Sequence, residues 1–299
     1  MADWDSVLIV FFNSGTAILG SCANLLIIIS FFVFNSSRQP TEILLINLSL
    51  ADFLVCAGYQ PLLVLKFKNY GVSQVYMSFI GHSVITASMS GLLAVNFDRF
   101  SAIYFPYKYI TWVTEKNTIS LVTISWMISL SAGLLIVSNF SIAVHIFHLY
   151  ISLIIVLVPL MYSVIYREAR KQARRIVSQT ANQFPYRNIM VDRATRGVGL
   201  VLITTLTCWL PGIVSPAIVA SLKNHEEIRK VVFSCLTAIC ANSCINPFIY
   251  VYKFSKFRRS VRKLIQRILE GASRRLPPTL IGQNRFIPTL IGQNRVIPT

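Results

Sequence analysis

Apolar residues along this chain gather into runs of about twenty residues or more with few charges, each long enough to cross a bilayer as a helix. Short polar turns part them. The runs predict spanning helices over 7–34, 41–66, 118–138, 194–222 and 230–252, and another that follows the short loop 68–73 and ends in Asp98-Arg99-Phe100. From Ile119 to Ile165 the chain is almost continuously apolar, broken only by small polar residues, Asn139, His145 and His148. Two helices nearly exhaust that stretch, so the link between the fourth and fifth spans is a turn of a few residues near 138–141. The clearest run lies within 75–109, where some twenty apolar or small residues meet Asp98 and Arg99. An adjacent acid and base is costly in lipid and belongs at the water boundary, facing other helices.

Composition agrees with this pattern. Residues are 54% hydrophobic and 13% charged, too few charges for a soluble domain. The net charge of +17 raises nucleic acid as a partner. Its distribution excludes that reading: 23 of the 28 Lys and Arg fall in segments that share one side of a seven-span topology. The positive-inside rule then places the N-terminus outside and the C-terminus inside, whereas a nucleic-acid binder gathers its charge on one folded surface. Asp3 and Asp5 precede the first run in place of basic residues, so the run reads as a signal anchor rather than a cleaved peptide. All six cysteines fall within predicted spans, none placed for an outer disulfide. The expected organisation is an all-α membrane protein: an outer N-terminus (1–6), a seven-transmembrane helix bundle (7–252), an amphipathic eighth helix (253–270) and a disordered inner tail (271–299). In the eighth helix Val261, Leu264, Ile265 and Ile268 oppose Arg258, Arg259, Arg262 and Lys263, a basic amphipathic pattern suited to the anionic inner leaflet. The tail holds a tandem decapeptide, 278–287 and 288–297, too short an array for a solenoid.

Polar residues inside the spans are few and informative. Asn24 stands in a small, aliphatic setting and is expected to bridge helices. Asp52 falls near mid-membrane, where a carboxylate is paired, protonated or ion-bound. Pro61, Pro159 and Pro211 lie within spans, and Pro211 follows Trp209 closely, so a kink there adjoins a bulky indole. No nucleophile, base and orienting group converge on any stretch, which argues against an enzyme. A transporter predicts internal repeats and several buried charges, and only Asp52 lies deep.

In order along the chain, Asn24, the Leu50-Ala51-Asp52 triplet, Asp98-Arg99-Phe100, Trp126, Pro159, Cys208-Trp209-Leu210-Pro211 and Asn246-Pro247-Phe248-Ile249-Tyr250 resemble the signature positions of class A (rhodopsin-like) G-protein-coupled receptors. The resemblance covers some 250 residues in register. It implies a plasma-membrane, multi-pass receptor that couples an extracellular ligand to heterotrimeric G proteins through movement of the sixth span. Asp98, Arg99, Phe100, Trp209, Pro211, Asn246, Pro247 and Tyr250 would form its switch. It also implies an allosteric sodium site at Asp52, Ser88, Asn242, Ser243 and Asn246; the alternative is that these groups bond only one another. Three departures stand out. Arg167 replaces the usual inner tyrosine of the fifth span, with Tyr166 one place early; Thr205 replaces a core phenylalanine; Val191 stands where an acid often pairs the arginine. Together they imply a loosely held inactive state with basal signalling.

Gln74 stands where most of the family has a cysteine, and with the short second outer loop this is similar to the melanocortin receptors and, more loosely, to adenosine, cannabinoid and lysophospholipid receptors. Met77, Ser78 and Gly81 occupy the face of the third span where melanocortin and amine receptors carry acids, which disfavours a cationic ligand. Tyr59, Gln60, His82, Ser83, His145 and His148 are the polar candidates for a ligand pocket, expected to take a small or lipid-like ligand. Cys240 stands at the position of an opsin's Schiff-base lysine, so no retinal and no other cofactor is expected. The alternative reading is a non-signalling receptor-like protein or a chemosensory receptor of the same fold. Asn139-Phe140-Ser141 forms a glycosylation sequon expected to be unused so near the membrane.

Overall fold

The computed structural model describes residues 4–34, 39–138, 142–179, 186–253 and 255–275, and the side chains of all these except 169, 172–202, 253, 255–257 and 271–275. Among them the chain is entirely helical between its turns: α1 (Trp4–Phe34), α2 (Pro40–Phe67), α3 (Gln74–Tyr104), α4 (Pro106–Trp112), α5 (Glu115–Val137), α6 (Ala143–Gln179), α7 (Tyr186–Ser221), α8 (His225–Lys253) and α9 (Ser255–Arg275). Seven of these, all but α4 and α9, are long and apolar enough to cross a membrane. They form the bundle that the runs of apolar residues predict. The sequon at 139–141 and the decapeptides at 278–297 lie outside the described residues.

The third span is the axis of the bundle. In its most apolar stretch 67% of residues are buried, against 11% for α5, which packs chiefly on α3. Small residues permit that close approach, as is general where helices meet in lipid. A Cβ added at Gly133 of α5 would lie 2.8 Å from the Phe79 carbonyl oxygen and would strike Ser83 Oγ as well. Gly20 does the same for α1 and α8, with the Cys244 Cα 3.1 Å from where its Cβ would be.

Buried polar groups tie the spans together. Asn24 Nδ2 donates to the Gly20 carbonyl at 2.9 Å and to the Ser243 carbonyl at 3.1 Å, joining α1 to α8 as expected of a lone intramembrane Asn. Trp126 Nε1 donates to Asn47 Oδ1 at 2.8 Å, fixing α5 against α2. Asn13 Nδ2 donates to Thr237 Oγ1 at 3.0 Å.

Two local features differ from the sequence expectation. Pro61 predicts a kink, and the distortion takes the form of a π turn at Val55–Tyr59, in which the Gln60 N–H reaches back to the Val55 carbonyl. Proline cannot donate to the carbonyl four residues earlier, and a wider turn just before it absorbs that loss. The second difference is α4, a two-turn helix opened by Pro106 that the run pattern does not signal. At the other end of the chain α9 is helical over the predicted amphipathic segment and packs on α1, with the Arg267 guanidinium 4.7 Å above the Phe34 ring.

Candidate functional site

At one end of α3 a buried carboxylate gathers three donors. Asp98 is 3% exposed, and Arg99 Nε reaches its Oδ2 at 2.9 Å. Thr41, at the start of α2, donates to the same oxygen at 3.0 Å and accepts from Arg99 Nη2. Tyr109 of α4 donates to Oδ1 at 2.8 Å. Charge-assisted bonds of this kind are the stronger ones, and here they come from three elements. Burial, with the Asp98 carboxylate adding to it, holds the Tyr109 phenol above its ordinary value, so it stays a donor at neutral pH. The pairing of Asp98 with Arg99 is legible in the sequence; Thr41 and Tyr109 are not, because neither spacing nor residue type marks them. Phe100 packs against the core with its ring stacked 5.4 Å from Tyr104.

Farther into the bundle stands the second carboxylate. Asp52 is fully buried, with Ser88 Oγ donating to Oδ1 at 2.5 Å and Asn246 Nδ2 to Oδ2 at 2.9 Å, and Ser243 bonds it as well. Asn242 Oδ1 is buried beside them with no hydrogen-bond partner among the described residues. Ser88, Asn242 and Ser243 line a small cavity of about 10 Å³, room for roughly one water-sized occupant. Trp209 closes it. All five residues of the expected cation site thus meet at one place. Pro247 lies within α8, and Tyr250, three residues on, is buried toward the same core.

Trp209 is also the floor of a much larger cavity of about 340 Å³, within the usual size range of small-molecule sites. Its polar lining is Tyr59, His82, His148, Ser152, Ser215 and Cys235, and no Asp, Glu, Lys or Arg lines it. Ile85 and Ile239 face both cavities beside Trp209, so a single indole and two aliphatic chains part the upper space from the Asp52 pocket.

Of the six residues expected to line a pocket, three do: Tyr59, His82 and His148. Gln60 turns instead to α1, where Nε2 donates to Thr16 Oγ1 at 2.9 Å. A helix advances about 100° per residue, and Tyr59 holds the inward position. Ser83, one step past His82, lies under Gly133 in the α3–α5 contact. His145, one turn nearer the helix start than His148, is exposed and lines no part of the cavity. The lining from α7 and α8, Gly212, Ser215, Pro216 and Cys235 among them, carries no charge or pattern that singles it out in sequence.

At the departures from the family pattern, Arg167 is exposed, and Tyr166 lies under the Arg170 guanidinium at 5.7 Å. Tyr162, one turn deeper, is buried and bonds Asn96 on α3, with Tyr250 close by. Thr205 is buried with its hydroxyl lacking a partner among the described residues. The side chains of Val191 and Asp192 lie outside the described ones.

A seven-helix bundle with an uncharged cavity at one end, a polar pocket below a tryptophan and an acid-locked arginine at the other end defines a class of membrane receptor. Comparison with known proteins agrees: the profile of the family described as "7 transmembrane receptor (rhodopsin family)" matches residues 23–141 and 136–250, and the chain belongs to that family. It is similar to trace amine-associated receptor 7d of Mus musculus, 27% identical over 286 residues, covering 83% of this chain and 79% of that one. It is 26% identical to receptor 7b of Rattus norvegicus, again over 83% and 79% of the two chains, and 27% identical to receptor 7a of Mus musculus over 87% and 82%. The protein is therefore a multi-pass G-protein-coupled receptor and not an enzyme. Such receptors work with a ligand and a G protein.

Proposed function

We propose that this receptor stands in the plasma membrane with its N-terminus outside and binds a small or lipid-like ligand in the 340 Å³ cavity. Binding is passed to a heterotrimeric G protein by movement of α7 about Pro211. The observation that carries this reading is the place of Trp209, two residues before Pro211, as the shared wall of the ligand cavity and the Asp52 pocket. A ligand that presses on the indole acts at the bend of the moving helix, and an equilibrium between two packings is then biased by whichever one the ligand fits better. At the far end Asp98 and Thr41 hold Arg99, and release of Arg99 would free it to meet the G protein.

The named relatives are trace amine-associated. Nothing in this cavity pairs with a cationic amine, because its lining has no carboxylate, and a buried cation without a counter-charge is costly. We infer a different ligand for this chain. The Asp52 pocket fits a sodium ion: the orphaned Asn242 oxygen, Ser88, Ser243, Asn246 and Asp52 would hold it, and it would favour the packing that keeps the pocket closed.

The test is a panel of G-protein activation sensors in cells expressing the receptor beside its Arg99→Ala variant, with surface level measured. Basal output present in the wild type and lost in the variant is expected, and it names the G protein. Equal output from both at equal surface level would favour the non-signalling alternative.

A further inference from the structure

The ligand cavity differs from an amine site in more than lacking an acid. A Cβ added at Gly81 would lie 2.6 Å from one ring carbon of Tyr59 and 2.9 Å from the next, so the Tyr59 ring already fills the place where a side chain at 81 would project. The π turn at Val55–Tyr59 changes the phase of α2 just before Pro61 and ends on this residue. Tyr59 is 5% exposed and lines the cavity, so a phenol hydroxyl stands where the third span of an amine receptor carries its carboxylate.

Two imidazoles share that lining, His82 half-buried and His148 exposed. His82 of α3 places Nδ1 2.7 Å from the Ser78 carbonyl, and His148 of α6 places Nδ1 2.7 Å from the Val144 carbonyl. A carbonyl oxygen can only accept, so each Nδ1 carries its hydrogen and each Nε2 is left for what enters the cavity. Phe147 stands between them, its ring 4.6 Å from His82 and 5.6 Å from His148.

We infer that the cavity is a site for a carboxylic acid with an apolar body, read by His82, His148 and Tyr59. This rests on the cavity being the ligand site. A cationic head would enter a lining in which Tyr59 and Cys235 are the groups able to become negative. A carboxylate enters together with one proton taken up from water. Its O–H donates to one Nε2, or the proton passes to that nitrogen and leaves a carboxylate against an imidazolium; in both forms the complex has no net charge. The Tyr59 hydroxyl donates to the remaining oxygen. The turns at that end of the bundle carry Lys66, Lys68 and Lys223 against Glu227, with Asp5 and Glu226 paired with Lys230 and Arg229. A cavity of 340 Å³ lies in the range of small-molecule sites, and a ten-carbon acid serves as its probe.

The experiment uses the full-length receptor and four probes of one body: decanoic acid, decan-1-ol, decylamine and methyl decanoate. Binding is read as thermal stabilisation of the purified protein, and signalling by the sensor panel. Decanoic acid is expected to act at concentrations at least tenfold lower than the other three. His82→Phe and His148→Phe keep an aromatic ring and are each expected to weaken the acid about tenfold while leaving the ester unchanged. An alcohol or amine as potent as the acid, an acid response indifferent to both substitutions, or no stabilisation by any probe would overturn the assignment. The receptor reading is judged separately, by the loss of basal output in Arg99→Ala.

Discussion

The Tyr109 hydroxyl lies 2.8 Å from Asp98 Oδ1, joining a two-turn helix between the third and fourth spans to the carboxylate that holds Arg99. Tyr109→Phe removes that donor and keeps the ring. A hydrogen bond to a charged group contributes about 1.5–3 kcal/mol, and Tyr109 is part-exposed, so a loss near or below 1.5 kcal/mol is expected. It should appear as raised basal output, because Arg99 is less firmly held. Since the phenol titrates above its usual value, the bond persists through neutral pH and is lost only as pH rises past that raised value; the variant's excess output over wild type should therefore stay constant between pH 6 and pH 8.

Asp52 is expected to govern any response to sodium. Replacing potassium by sodium should raise the melting temperature of the purified wild-type receptor. Asp52→Asn removes the charge while keeping a group that bonds Ser88, and the sodium effect should disappear. A sodium effect of equal size in the variant would place the ion elsewhere.

Gly133 allows α5 to reach α3. Gly133→Val adds branched carbons against the Phe79 carbonyl, backbone that cannot swing aside. Overpacking of this kind costs about 1–3 kcal/mol. The variant should reach the surface in smaller amount and melt at lower temperature than Gly133→Ala.

Gly81 tests the contact with Tyr59. Gly81→Asp alone has to displace the ring and should lower surface level; Tyr59→Ala in the same chain makes room and should restore it. Additive losses in the double variant would show that the two positions do not share one space.

Arg167 cannot supply the hydroxyl that the family's inner tyrosine gives, and Tyr162 is the buried phenol nearest to Tyr250 along that helix. Tyr162→Phe is expected to reduce G-protein output at unchanged surface level, and Tyr166→Phe to leave it unaltered. The reverse order would return the role to the position beside Arg167.

Much of the fold is legible in the chain because lipid forces it: a backbone crossing hydrocarbon must satisfy its own hydrogen bonds, so long apolar runs become helices. The run at 7–34 and the one that follows the loop 68–73 correspond to α1 and α3 within a few residues, and Asp52, Ser88, Asn242, Ser243 and Asn246, drawn from three spans, meet at one place, Ser88, Asn242 and Ser243 lining the small cavity and Asp52 bonding Ser88 and Asn246. It was the resemblance to the receptor family that pointed to these five together. Asp98 beside Arg99 is likewise fixed by adjacency. What tertiary structure decided is rotation and partnership. Whether Tyr59 or Gln60 faces the cavity turns on one residue of helical phase, which the π turn at Val55–Tyr59 helps to set. Ser83 passed from cavity to interface because Gly133 leaves room for it there. Tyr109 and Thr41 reach Asp98 from elements that apolar patterning cannot see, since a side-chain bond across the bundle depends on packing angles and not on any residue's own hydrophobicity.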